Sequence, residues 1–278
     1  MKKRLLATRV FFLAVTAAVI LLAALSFARG EGVRLSAVTA AAVPLAAFFA
    51  TFIPQIGRKD AKRLEKAAQP YMGRAFDGHG KESRLFLRAF AFWQQGKNGE
   101  AEAAALRLYR TAEDSGIRAR ALFLAGRCLL EEGEAREAAD RFEEALRFDP
   151  SMAMAWSNLA TACDKMGEAP QTMVRCLENA VFYEPDYEIA YGKLGLYYSR
   201  LDEAEKSEQA FRTAVRLNPR RAQNHANLSW ILLSSGRLDE AEAAYRRALA
   251  CGYQDNGALR RMLMQAKTDP SPGGAGEC

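Results

Sequence analysis

Histidine is nearly missing from this chain of 278 residues: it occurs twice, as His79 and His225. The five cysteines, Cys128, Cys163, Cys176, Cys251 and Cys278, form no C-x-x-C pair and are odd in number. Two isolated histidines and scattered cysteines do not make a zinc site, so no metal and no cofactor are expected. Cys128, Cys163 and Cys176 fall on helical patterns and are read as reduced thiols serving as small apolar residues. There is no G-x-x-x-x-G-K-[ST] phosphate loop and no G-x-S-x-G nucleophile elbow. Phe76–Gly80 offers two glycines without the lysine-serine pair that would hold a phosphate. The acid clusters Glu131-Glu132-Gly133-Glu134 and Glu143-Glu144 alternate with Arg136, Arg141 and Arg147. Glu137–Arg141 and Glu143–Arg147 are four residues apart, the spacing of a solvated helix face rather than of paired catalytic carboxylates. With no nucleophile–base set in view, the chain is expected not to be an enzyme.

Half of the residues are hydrophobic, which excludes a disordered chain, and 26% are charged, which excludes a chain that is mostly membrane. Lys and Arg number 39 against 33 Asp and Glu, a net charge of +6. That surplus is local. Residues 1–66 carry eleven basic and three acidic side chains, a surplus of eight, and residues 67–278 carry 28 basic and 30 acidic ones.

The same first quarter holds the two long uncharged runs, Val10–Ala28 and Leu35–Ile56, joined by the short RGEGVR of Arg29–Arg34. Nineteen helical residues span roughly 28 Å, close to the bilayer hydrocarbon. The second run contains Pro44, which kinks a spanning helix without forbidding it, and Pro54 near its end. A two-helix transmembrane hairpin is therefore expected over residues 1–57, with spans at about 10–28 and 35–56. Four basic residues precede the first run and five follow the second, between Arg58 and Lys66. The positive-inside rule then places both termini in the cytoplasm. The competing reading, a cleaved signal peptide ending at Ser26-Phe27-Ala28, fits less well, because the run is long and a second follows at once. If the Pro-containing run does not span, the large domain lies outside. The Arg58–Lys66 cluster sits where topology and anionic headgroups explain it better than nucleic acid, so no nucleic acid partner is expected. Small residues four apart, Ala14 with Ala18 and Ala42 with Ala46 and Ala50, could bring the hairpin against another membrane protein.

Beyond a basic juxtamembrane segment and loop (58–80), the chain repeats. Phe148-Asp149-Pro150, Tyr183-Glu184-Pro185 and Leu217-Asn218-Pro219 recur at intervals of 35 and 34 residues. Each follows an amphipathic helix pattern: Ala138, Phe142, Ala145; Met173, Leu177, Ala180; Ser207, Phe211, Ala214. A fourth copy, Ala241, Tyr245, Ala248, has Tyr253 near the proline's place. A second helix pattern precedes each: Leu122, Ala125, Gly126, Leu129; Trp156, Leu159, Ala160, Cys163; Tyr191, Leu194, Gly195, Tyr198; His225, Leu228, Ser229, Leu232. Gly133, Gly167, Asp202 and Gly236 mark the turns. This resembles the tetratricopeptide repeat, a helix-turn-helix unit with a large residue, Leu and Gly early, then Ala, an aromatic and Pro.

The resemblance implies an all-α fold, a right-handed solenoid, with four repeats at 119–253, a degenerate first repeat at 81–118 and a capping helix at 254–267. Ser115-Gly116 reads as a link, and 268–278 (DPSPGGAGEC with its preceding threonine) as a flexible tail. Some membrane-anchored members of the family carry a C-terminal cysteine-ligated metal module, which is lacking here. In the family the first helix of each unit lines a concave groove that holds a peptide or helix of a partner. The matching positions are Arg120, Phe123 and Arg127; Asn158, Thr161 and Lys165; Ile189, Lys193 and Leu196; and Gln223, Asn227 and Trp230. Ile189 stands where a chaperone-tail clamp would need lysine, so that ligand is not expected. The functional expectation is a scaffold or adaptor tethered to the bilayer through residues 10–56, its repeat domain cytoplasmic and its groove holding a protein or peptide. The alternative is an envelope or secretion assembly or quality-control factor with the repeats outside. Ala and Lys/Arg richness fits a bacterial inner membrane.

Overall fold

A glycine facing an aromatic ring sets the distance between the two helices of a repeat. A Cβ added at Gly195 would lie 2.5 Å from the Phe211 ring, and one at Gly126 would lie 2.8 Å from the Phe142 ring. Both rings are fully buried, so each fills the space that its glycine leaves. The computed structural model describes residues 60–255 and 257–268. The expected hairpin at 1–57 and the tail from 269 onward lie outside these residues. Among the described residues no helix is long and apolar enough to cross a membrane.

Two compact units divide the chain at Ala67/Ala68. The described part of the first, residues 60–67, is helical. In the second, residues 68–72 are helical, and eleven helices follow: α1 (Gly80–Gln94), α2 (Asn98–Thr111), α3 (Ser115–Glu132), α4 (Ala135–Phe148), α5 (Ala153–Lys165), α6 (Pro170–Tyr183), α7 (Glu188–Arg200), α8 (Ala204–Leu217), α9 (Ala222–Ser234), α10 (Leu238–Ala250) and α11 (Ala258–Thr268). Sequence neighbours pack antiparallel in five pairs, α1 with α2 through α9 with α10, with α11 closing the end. The first helices of successive pairs also touch: α1 meets α3, α3 meets α5, α7 meets α9, and α9 meets α11. The first helices therefore form the inner layer of the solenoid and the second helices the outer one.

The repeat positions account for the core. Leu122, Ala125, Ala160, Phe142, Ala145, Leu177, Ala180, Phe211, Ala214, Ala241 and Ala248 are wholly buried. The recurring prolines stop α4, α6 and α8 at Asp149, Glu184 and Asn218, since a residue before proline resists the helical conformation. Their carbonyls then hold the next helix. Trp156 Nε1 donates to the Pro150 oxygen at 2.8 Å, and His225 Nε2 lies 2.8 Å from that of Pro219. His225 is thus a structural side chain. The inter-helix turns need a left-handed residue: Gly133 takes φ +95°, and Asp202 takes φ +59° at the equivalent place in the unit that lacks the glycine.

Three local expectations change. Ser115 and Gly116 are not a link: they open α3, because Asp114 caps it by accepting from the Ile117 amide at 2.9 Å. Arg141 pairs with Glu144 at 3.2 Å, where Glu137 was expected, because Tyr109 donates to the same Glu144 carboxylate at 2.7 Å and holds it. Phe76 lies in the turn before α1, as expected, but its side chain is buried, 5.0 Å from the Phe86 ring centroid.

Candidate ligand groove

The inner layer carries the candidate residues on α3, α5, α7 and α9, and its two halves differ. In the first half the groove is filled by the chain itself. Residues 68–76 lie over α1 and α3, with Ala68, Met72 and Phe76 buried. The Tyr71 ring is 5.1 Å from Phe90, 5.6 Å from Trp93 and 6.3 Å from Phe123. Gly73 takes φ +57° and has no side chain, and an added Cβ would stand 3.2 Å from the Arg120 guanidinium. Consequently Phe123, expected to meet a ligand, is wholly buried between Tyr71 and Phe142. Arg120 is mostly covered and pairs with Asp149 at 3.5 Å. Arg127 stacks 4.9 Å over the Trp93 ring and pairs with Glu131 at 3.2 Å.

At the centre, polar candidates bind one another. Lys193 donates to the Ser157 carbonyl at 2.8 Å, to Ser157 Oγ at 3.0 Å and to Thr161 Oγ1 at 2.6 Å. Those bonds tie α7 to α5. Burial, and after it the charge of Arg127, draws the Lys193 ammonium down to about 8, with Asp164 opposing. Asn158 donates back to the Met154 carbonyl of its own helix at 2.7 Å, and Lys165 reaches the Leu130 carbonyl at 3.3 Å. Lys193 and Thr161 therefore act as inter-repeat struts.

The second half is open. Ile189 and Leu196 on α7 and Trp230 on α9 expose 36%, 43% and 37% of their surface. Beside them Gln223 donates to Asn227 Oδ1 at 2.7 Å, a polar edge for the apolar strip. Sequence reasoning placed Leu196, Gln223, Asn227 and Trp230 on this face. It missed Tyr71, Phe76, Phe86, Phe90 and Trp93, whose signal was aromatics at the groove positions of α1 and in the segment before it.

A family model for the tetratricopeptide repeat matches residues 86–153 and 193–256. Anaphase-promoting complex subunit 3 of Schizosaccharomyces pombe is 32% identical over 105 residues. That match covers 38% of this chain and 16% of the relative, so the chain spans a small part of the length of the curated relative it matches. Among solved structures, a thermophilic TPR protein of Thermus thermophilus aligns with a TM-score of 0.51 at 22% identity, covering 68% of this chain and 100% of that one. Pseudomonas aeruginosa pilF aligns with a TM-score of 0.57 at 16% identity, covering 68% and 92%. YrrB, described as a TPR protein with an unusual peptide-binding site, aligns at 0.51 and 18% identity, covering 71% and 98%. At these identities the structural likenesses concern the fold.

Proposed function

We propose that this chain, whose described part is a solenoid of tetratricopeptide repeats, is a membrane-tethered scaffold that takes one protein or peptide partner in the open half of its groove. The observation that carries the reading is the exposed strip of Ile189, Leu196 and Trp230 on the inner layer. Fully burying an apolar side chain of this size yields about 1.5–3 kcal/mol. Ile189, Leu196 and Trp230 have 36–43% of their surface left to cover, so each contributes roughly a third to a half of that and the three act together with neighbouring contacts. The matched repeat sequence supports protein binding as the general role. Tethering rests on the two uncharged runs and the basic surplus of residues 1–66, and it would raise the partner's local concentration at the membrane. The repeats would then lie in the cytoplasm, and the protein would act by recruitment rather than by catalysis.

Cross-linked capture from cells of the source compares the full chain with the Leu196→Asp, Trp230→Ala double variant. The reading requires partners held by the first and lost from the second at equal expression and helix content; equal capture by both overturns it. A C-terminal alkaline phosphatase fusion tests orientation, and activity there would place the repeats outside the cytoplasm.

A further inference from the structure

The segment that fills the first half of the groove is held there in an unusual way. Its grip is aromatic: Tyr71 among Phe90, Trp93 and Phe123, and Phe76 on Phe86. A polar bond across the contact is long, the Ser83 hydroxyl reaching the Phe76 carbonyl at 3.5 Å. Two buried donors of the groove, Trp93 Nε1 and Arg120 Nε, find no acceptor beneath it. A buried donor left without a partner loses the bond that water would give it, so the segment seals the groove without satisfying it. Its connection to α1 is exposed. Asp77, Gly78, His79 and Gly80 are exposed, and Gly78 takes φ +82°.

We propose that residues 68–76 are a displaceable ligand in cis, which occupies a second docking surface over α1 and α3 until a partner segment replaces it. The partner that fits is an amphipathic helix carrying an aromatic side chain for Tyr71's place among the three rings. It also carries carboxylate or amide oxygens, one accepting from Trp93 Nε1 and one from Arg120 Nε. Such a segment keeps the ring stacking and adds the two missing hydrogen bonds. Displacement frees Arg120 and Phe123, so these groove residues of α3 become contacts only in the opened state. The inference extends the reading of the inner layer as a docking surface, but it concerns the other half of the groove.

The test uses the full chain in mild detergent and, as probe, a fluorescein-labelled synthetic peptide of residues 60–79. Fluorescence anisotropy is read against wild type and the Tyr71→Ala variant, with a Tyr71→Ala peptide as control. The proposal expects the wild-type peptide to bind the variant chain at least tenfold more tightly than the wild-type chain, and the control peptide to bind neither. Equal binding to both chains, or none to the folded variant, overturns it. Hydrogen exchange on the wild-type chain reads the same opening without any substitution. Amides of 68–79 should exchange at least a hundredfold faster than those of α3 and α4, whereas equal protection makes the segment a permanent cap and overturns the proposal even if the variant fails to fold. Failure here leaves capture by Leu196 and Trp230 intact, so the two readings fall separately.

Discussion

Single residues decide how close the helices of a repeat come and how the repeats are tied together. At Gly195 a methyl group would meet Phe211 at 2.5–2.7 Å on a ring with no room to move. Gly195→Ala should therefore cost about 1–3 kcal/mol of stability by overpacking, read as a lower urea midpoint with helix content retained. Lys193 gives a pH signature. Its pKa falls from 10.5 in the unfolded chain to about 8 in the folded one, chiefly through burial. Between those values the unfolded state binds more protons, so this residue's contribution to stability rises with pH from about 8 to 10.5. Wild type should accordingly gain on Lys193→Met across that window in paired urea titrations; an unchanged difference between the two proteins would refute the assignment. Such details were only partly legible. The glycine–aromatic pairing recurs in the sequence and could be read from it. That Lys193 is spent on Ser157 and Thr161 depends on the offset between neighbouring repeats, which spacing within one repeat does not reveal.

Elements show where regularity carries information and where it stops. Repeats bounded by Pro150, Pro185 and Pro219 recur in their helix lengths and main buried positions, which follow from the period. The Asp202 turn is the exception that tests this logic. An aspartate at φ +59° is strained where the other units use glycine, and Asp202→Gly should raise stability by about 0.5–1 kcal/mol, measured by chemical denaturation. The degenerate first pair was harder. Phe86, Phe90 and Trp93 look like ordinary helix hydrophobics in sequence, and only the fold puts them on the inner layer under Tyr71. At the other end α11 covers the last pair with Leu259 and Leu263, and Lys267 reaches Glu242 at 2.8 Å. Deleting residues from 257 onward should speed hydrogen exchange in α9 and α10 while leaving α3 and α4 protected, as expected where each repeat depends on its neighbours.

At the scale of the molecule, the charge and the groove divide the chain into parts with separate tasks. The basic surplus lies in residues 1–66, and the repeats beyond are close to neutral, so on the proposed reading a partner is recognised by shape and apolar contact rather than by net charge. The inner layer offers that contact in one half and withholds it in the other, where Tyr71 already sits. The expected groove residues consequently separate into three groups: Leu196, Gln223, Asn227 and Trp230 at the open surface, Asn158, Thr161, Lys165 and Lys193 in bonds within the solenoid, and Arg120, Phe123 and Arg127 under or beside the cis segment. The central claim is that partners dock on the open inner strip. A photo-crosslinking amino acid placed in turn at Trp230 on the inner layer and at Phe182, 75% exposed at the end of α6, tests it most directly in cells. The account predicts a discrete partner adduct from position 230 and none from 182. Adducts from 182 alone, or the same adducts from both positions, would contradict it.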